Sequence, residues 1–194
     1  MKRILNKKPK IIVAPGMYLY LAILILLIPL RWLLGAIISI TVHELFHILS
    51  ILCCGIQIDS VNIGINGVRI QTGRMSHVQE LLCALAGPFG GALLLLLARW
   101  FPVTALCAGF HTVYNLLPIY PQDGGRALRC GARILLPEEI ANRLCSAVEY
   151  VCIAGVGLLG IYGTSVLNAG ILPLFFALVS LWRSSPMKNS LQRD

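Results

Sequence analysis

The chain has 194 residues, of which 57% are hydrophobic and 12% are charged, whereas a soluble domain carries about 25% charged residues. A chain of this length cannot bury so much apolar side chain in a soluble core, which excludes an ordinary soluble globular protein. The net charge of +8 does not indicate nucleic-acid binding, because the basic residues are sorted by loop, as they are in membrane proteins.

Apolar runs predict about six transmembrane helices, because each run approaches the roughly 20 residues that cross a bilayer. The predicted spans are residues 11–30, 33–54, 81–98, 101–120, 147–163 and 166–182. With these spans, fourteen of the 16 basic residues lie on one side of the membrane, and Arg31 and Arg99 lie on the other. Cytoplasmic loops carry the excess of Lys and Arg, so both termini are predicted to be cytoplasmic.

The expected fold is a single membrane-embedded, all-α domain over residues 1–194, with a basic cytoplasmic N-terminus at 1–10 and a cytoplasmic tail at 184–194. The loop after the second span alternates apolar and polar residues on both sides of Asn66-Gly67, which is the strongest short hairpin signal. We therefore expect a small cytoplasmic β-hairpin between helices 2 and 3. It either offers a strand edge to an unwound substrate or simply closes the loop.

Glu44 is the one acidic residue of eight that lies deep in a predicted span, and it is flanked by His43 and His47. Residues four apart leave the same face of a helix, about 6 Å apart along the axis, so the two imidazoles can hold one Zn²⁺. Glu44 is then placed to act as a general base, as in the HExxH motif of metalloproteases. A chance match would leave three ionisable groups in the bilayer without partners, at a cost of several kcal/mol, so metal binding is the favoured interpretation.

A catalytic zinc ion takes three protein ligands and keeps one open position, so a third ligand is needed. Asp123 is favoured, because Pro118 and Pro121 interrupt the helix before it. Gly124 and Gly125 then permit a tight turn directly after the carboxylate. Irregular backbone at membrane depth is tolerated where it lines a cavity of the protein. The alternatives are His111, which is more often a core residue with satisfied hydrogen bonds, Glu149, expected at the cytoplasmic interface, and His77, expected in a loop.

HELFH in the second span and NLLPIYPQDGGR near the end of the fourth resemble the motifs of the site-2 protease family, the intramembrane zinc metalloproteases. The segment LAGP at residues 85–88 is similar to the AGP element of that family. The resemblance covers roughly residues 33–133, and the compact length is similar to the subgroup that contains the stage IV sporulation protease, which processes a pro-sigma factor. It implies one zinc ion per chain held by His43, His47 and Asp123, with Glu44 as general base. It also implies that Asn115 helps to hold the substrate or the transition state.

The family pattern is broken at two positions, since Gln122 replaces the leucine that usually precedes the DG pair and Gly91 replaces an asparagine. Neither is a predicted ligand. The implied activity is hydrolysis of peptide bonds in or next to transmembrane segments of membrane-tethered proteins, such as a pro-sigma or other regulatory factor. Its expected partners are a transmembrane substrate, the lipid bilayer and a membrane regulatory protein, without nucleic acid, in the bacterial cell membrane. The alternatives are a catalytically silent pseudoprotease and a metal transporter, for which duplicated halves would be expected.

Overall fold

A computed structural model gives the structure of the chain, described for residues 9–64, 67–167, 170, 174 and 178. The chain divides into two compact units, Met1–Asn115 and Leu116–Asp194, which are taken in turn. The first contains β1 (Lys10–Val13), α1 (Pro15–Leu27), α2 (Leu30–Cys53), β2 (Ile58–Gly64), β3 (Gly67–Thr72), α3 (His77–Leu95) and all but the last residue of α4 (Pro102–Leu116). The second contains α5 (Asp123–Leu135) and α6 (Glu138–Ser165).

Within the described residues, three helices, α2, α3 and α6, are long and apolar enough to cross a membrane, with 24, 19 and 28 residues. The apolar α1 and α4 are shorter, with 13 and 15 residues. A mostly helical protein with helices suited to a membrane is therefore confirmed, whereas six transmembrane spans are not. Most of the predicted sixth span at 166–182 lies outside the described residues, as do residues 1–8 and the tail at 184–194.

The first predicted span is wrong as one continuous helix. Its first residues belong to β1, and α1 begins only at Pro15, a position where the missing N–H of proline breaks no helical hydrogen bond. α1 then ends at Leu27, and the chain passes through Pro29 into α2. Periodicity could not separate these elements, because a short apolar run such as KIIV suits a strand as well as a helix.

The predicted hairpin between the second and third helices is confirmed by the antiparallel pair β2 and β3. Gly67 has a φ of +104°, which favours glycine, and Asn66 of the predicted turn lies outside the described residues. The unexpected feature is β1, which pairs in parallel with β2 on the side away from β3. The sheet is therefore three-stranded, in the order β1-β2-β3, and β2 is its central strand.

Helices α2 and α3 pack closely because α3 presents glycine to α2. A Cβ atom at Gly90 would lie 2.5 Å from Cγ of Phe46, so only a residue without a side chain fits there.

α3 starts with a capping box in which Ser76 and Gln79 each accept a hydrogen bond from the backbone N–H of the other. His77 is consequently the first residue of a helix, and its predicted place in a loop is wrong.

In the second unit, the tight turn predicted after Asp123 from the glycine pair is wrong, because a helix, α5, begins at Asp123. Gly124 and Gly125 lie in the first turn of this helix, where they are buried. α5 packs against α6 through a small apolar cluster of Ala132, Ala141 and Cys145. α6 begins directly after Pro137, so the chain between the predicted spans 101–120 and 147–163 is largely helical.

Candidate metal centre

The two histidines of the HExxH motif lie together on the buried face of α2. His43 is 2% exposed and His47 is 7% exposed, and their Nε2 atoms are 3.1 Å apart. Two nitrogen ligands at about 2.0–2.1 Å from a tetrahedral zinc ion would be separated by about 3.3 Å. The observed separation is close to that value, so these two side chains fit one metal ion.

The ring of His47 is oriented by α3. Its Nδ1 lies 2.7 Å from the backbone oxygen of Cys83. In the tautomer that carries the proton on Nδ1, the ring donates a hydrogen bond to this oxygen, and Nε2 keeps its lone pair available. Histidines that bind metals usually donate their second ring N–H to a carbonyl or carboxylate in this way. The contact therefore prepares Nε2 of His47 for metal coordination.

The space in front of both imidazoles is kept open by Gly87 of the AGP element. A Cβ atom built on Gly87 would lie 2.6 Å from Cε1 of His47 and 2.7 Å from Nε2 of His43. Such distances are well inside van der Waals contact, so any side chain here would enter the region in which the two Nε2 atoms meet. The glycine thus preserves room at the two Nε2 atoms.

The other predicted site residues of the first unit are Glu44 on α2 and His111 and Asn115 on α4. Glu44 is half-buried beside His43 on α2. On α4, the side-chain N–H₂ of Asn115 donates to the backbone oxygen of His111 at 2.9 Å and lies 3.2 Å from His111 Nε2. The His111 ring meets the His43 ring edge-on, with 4.7 Å between centroids. The structure therefore brings His43, His111 and Asn115 together, although the sequence alone favoured His111 as an ordinary core residue.

Two buried hydroxyl groups near these residues were not identified from the sequence. Ser39 is fully buried one helical turn before His43, and Thr112 is 7% exposed next to His111. Within the described part of the chain, neither hydroxyl oxygen has a hydrogen-bond partner. The helical spacing of Ser39 and His43 on one face was the available signal.

In the second unit, Asp123 is the first residue of α5 and is 7% exposed. The helix N-terminus favours its negative charge, and Nη1 of Arg126 lies 3.7 Å from Oδ1. The first turn of α5 lies tightly against the segment before it, since a Cβ atom at Gly125 would come within 2.5 Å of the carbonyl carbon of Ile119. Asp123 is thus held on a defined backbone.

Glu149, another ligand candidate from the sequence, is engaged within the second unit. Its Oε2 accepts a hydrogen bond from Nη2 of Arg129 at 3.1 Å, and its Oε1 accepts one from the backbone N–H of Tyr120, also at 3.1 Å. The guanidinium of Arg129 also stacks on the ring of Tyr120, 4.3 Å from its centroid. Glu149 is therefore tied to the segment before Asp123.

No family model matches the chain, and no curated protein matches it. Among solved structures, the chain is similar to the site-2 protease from Methanocaldococcus jannaschii, with a TM-score of 0.60 and 20% sequence identity. The match covers 93% of this chain and 92% of the other. At this identity, the similarity shows that the two chains share a fold.

Proposed function

We propose that the chain is an intramembrane zinc metalloprotease of the site-2 family. The observation that carries this proposal is the convergence of Nε2 of His43 and His47 at 3.1 Å on a helix suited to cross a membrane. The shared fold with a solved site-2 protease supports it, as does the sequence motif. The same reasoning makes the protein an integral membrane protein, and we assign it to the bacterial cell membrane with both termini in the cytoplasm.

We propose Asp123 as the third metal ligand. With Asp123 added, two buried imidazoles and one buried carboxylate would make a donor set that suits zinc and leaves one coordination position for chemistry. The carboxylate adds a negative charge that partly neutralises Zn²⁺, which matters more in a low-dielectric site than in water. Asp123 is also the residue that the family motif designates.

The residues around the metal have distinct tasks in the proposed reaction. A bound zinc ion supplies Lewis acidity, which polarises the scissile carbonyl and favours deprotonation of water. The carboxylate of Glu44 takes a proton from the attacking water and passes it to the leaving amine nitrogen. Asn115 holds the substrate or the transition state through its side-chain amide, whose N–H₂ group donates to His111 in this structure.

The proposed substrate is a membrane-tethered protein that is cut in or next to a transmembrane segment, such as a pro-sigma or other regulatory factor. A peptide bond inside a helix is shielded, so the substrate must become extended before attack. Among the described strands, β3 has β2 on one side only, and its other edge is available for strand addition. A membrane regulatory protein is a further proposed partner.

The decisive experiment is cleavage of a model membrane substrate by the purified chain in detergent or liposomes, with and without a zinc chelator. We expect cleavage that the chelator removes and added zinc restores. The matched control is Glu44→Gln, which keeps the proposed ligands and removes the base. A chain that binds the substrate but cuts it under neither condition would be a pseudoprotease, and the proposed function would be wrong.

A further inference from the structure

Glu149 is an ionisable residue within α6, a helix that is long and apolar enough to cross a membrane. Its side chain is 13% exposed, and that of its partner Arg129 is 30% exposed. Placing a charged residue in a membrane-spanning helix costs free energy. A charged residue that is found there with a defined partner is therefore a candidate for a function. The proposed reaction leaves Glu149 without a role.

The two oxygens of Glu149 make different bonds. Oε2 pairs with Arg129 of α5, whereas Oε1 accepts from the backbone N–H of Tyr120, in the irregular segment between α4 and α5. Arg129 also covers the ring of Tyr120. The carboxylate therefore joins α6 to the backbone of the segment, and the ion pair holds the carboxylate in place.

The segment that Glu149 contacts leads directly into Asp123. Pro121 has no N–H group, and the N–H of Gln122 bonds to the oxygen of Ile119 at 2.9 Å. On its other side, the segment lies against Gly125, where a Cβ atom would be 2.6 Å from the backbone nitrogen of Tyr120. The backbone nitrogen of Tyr120 thus lies between Gly125 of α5 and Glu149 of α6, three residues before Asp123.

We propose that Glu149 is a positioning residue for the metal centre, which acts by fixing the Tyr120 N–H and thereby the backbone that carries Asp123. This inference rests on the proposed function, because it takes Asp123 as a zinc ligand. Residues that hold a metal ligand in place typically change metal affinity by about 10–100-fold when they are replaced. Glu149 does so through the backbone rather than through the carboxylate of Asp123 itself.

The test compares Glu149→Gln with Glu149→Met. Both variants lose the charge that pairs with Arg129 and keep the length of the side chain, but only glutamine retains a carbonyl oxygen that accepts from the Tyr120 N–H. The difference between them therefore isolates that hydrogen bond. Zinc affinity is measured by competition with a chromophoric chelator, and the ligand-field absorption of the Co²⁺-loaded protein reports the coordination geometry.

We expect Glu149→Gln to bind zinc within about threefold of the unmodified chain, and Glu149→Met to bind about 10–100-fold more weakly with an altered Co²⁺ spectrum. Equal zinc affinity and equal spectra in the two variants would overturn the inference. Asp123→Ala, measured in parallel, separates the two proposals. If Asp123→Ala binds zinc normally, Asp123 is not a ligand and the proposed ligand set is wrong. If Asp123→Ala loses zinc but the two Glu149 variants have equal zinc affinity, only the positioning role of Glu149 is wrong.

A second measurement covers the case in which Glu149→Met does not fold. Hydrogen–deuterium exchange at the Tyr120 amide is then compared in the unmodified chain and in Glu149→Gln, without bound metal. Slow exchange in both supports the bond to residue 149. Exchange at the rate of a solvent-exposed amide in the unmodified chain would refute it.

Discussion

Replacing Gly87 by alanine should displace His43 and His47, the two proposed histidine ligands. The new Cβ atom would lie 2.7 Å from Nε2 of His43 and 2.6 Å from Cε1 of His47, whereas ordinary contacts begin at 3.4 Å, a shortfall of about 0.7–0.8 Å. Ligand distances in metal sites hold to within about 0.2 Å, so a displacement of this size disrupts coordination. We expect zinc affinity to fall by at least about tenfold, or about 1.4 kcal/mol.

Gly90→Ala is the matched control for this variant. Its Cβ atom would crowd Phe46, also on α2, at 2.5 Å from Cγ, and its three nearest atoms all belong to that side chain rather than to a predicted ligand. Overpacking a core costs about 1–3 kcal/mol, so both variants should unfold at lower temperature than the unmodified chain. Zinc affinity is measured by chelator competition and stability by thermal unfolding without metal. Equal zinc affinity in the two variants would refute the proposal that Gly87 keeps the space in front of His43 and His47 open.

Three further predictions concern the reaction, the ligand set and the topology. Glu44→Gln should abolish cleavage while the metal content of the purified protein is unchanged, and loss of the metal would remove Glu44 from its role as base. Asp123→Ala should lower zinc occupancy and end proteolysis, whereas His111→Ala should leave most of the zinc bound; the reverse pattern of metal content would make His111 the ligand. Cysteines placed at positions 5, 75 and 190 should all be labelled from the same side of the membrane, and labelling of position 75 from the opposite side would contradict the charge sorting.

The histidine pair could be predicted because its geometry is local. Two residues four apart on a helix always share a face, so His43 and His47 needed only the prediction of a helix to be brought together. The backbone oxygen that orients His47 could not be predicted in the same way. It belongs to Cys83, 36 residues later, and its position depends on how closely α3 packs against α2.

The elements that were predicted wrongly carry ambiguous local signals. Gly124-Gly125 is typical of a turn, yet both residues lie in the first turn of α5, because only glycine can pack against the backbone at Leu116–Tyr120. β1 is four residues long, and its strand conformation comes from pairing with β2, about fifty residues away. The bonds of Glu149 to Tyr120 and Arg129 could not be predicted either, because these partners lie 29 and 20 residues from it in the sequence.

The parallel pairing of β1 with β2 also restricts how often the intervening chain crosses the membrane. Strands of one sheet lie on the same side of a bilayer, so residues 14–57 must contain an even number of crossings. If α2 is one of them, α1 must be the other. With 13 residues, α1 rises only about 20 Å, less than the hydrocarbon thickness of about 30 Å. A span shorter than the bilayer is accommodated by local thinning of the lipid, by snorkelling of flanking side chains or by oligomerisation, so the protein should be sensitive to the acyl-chain length of its membrane.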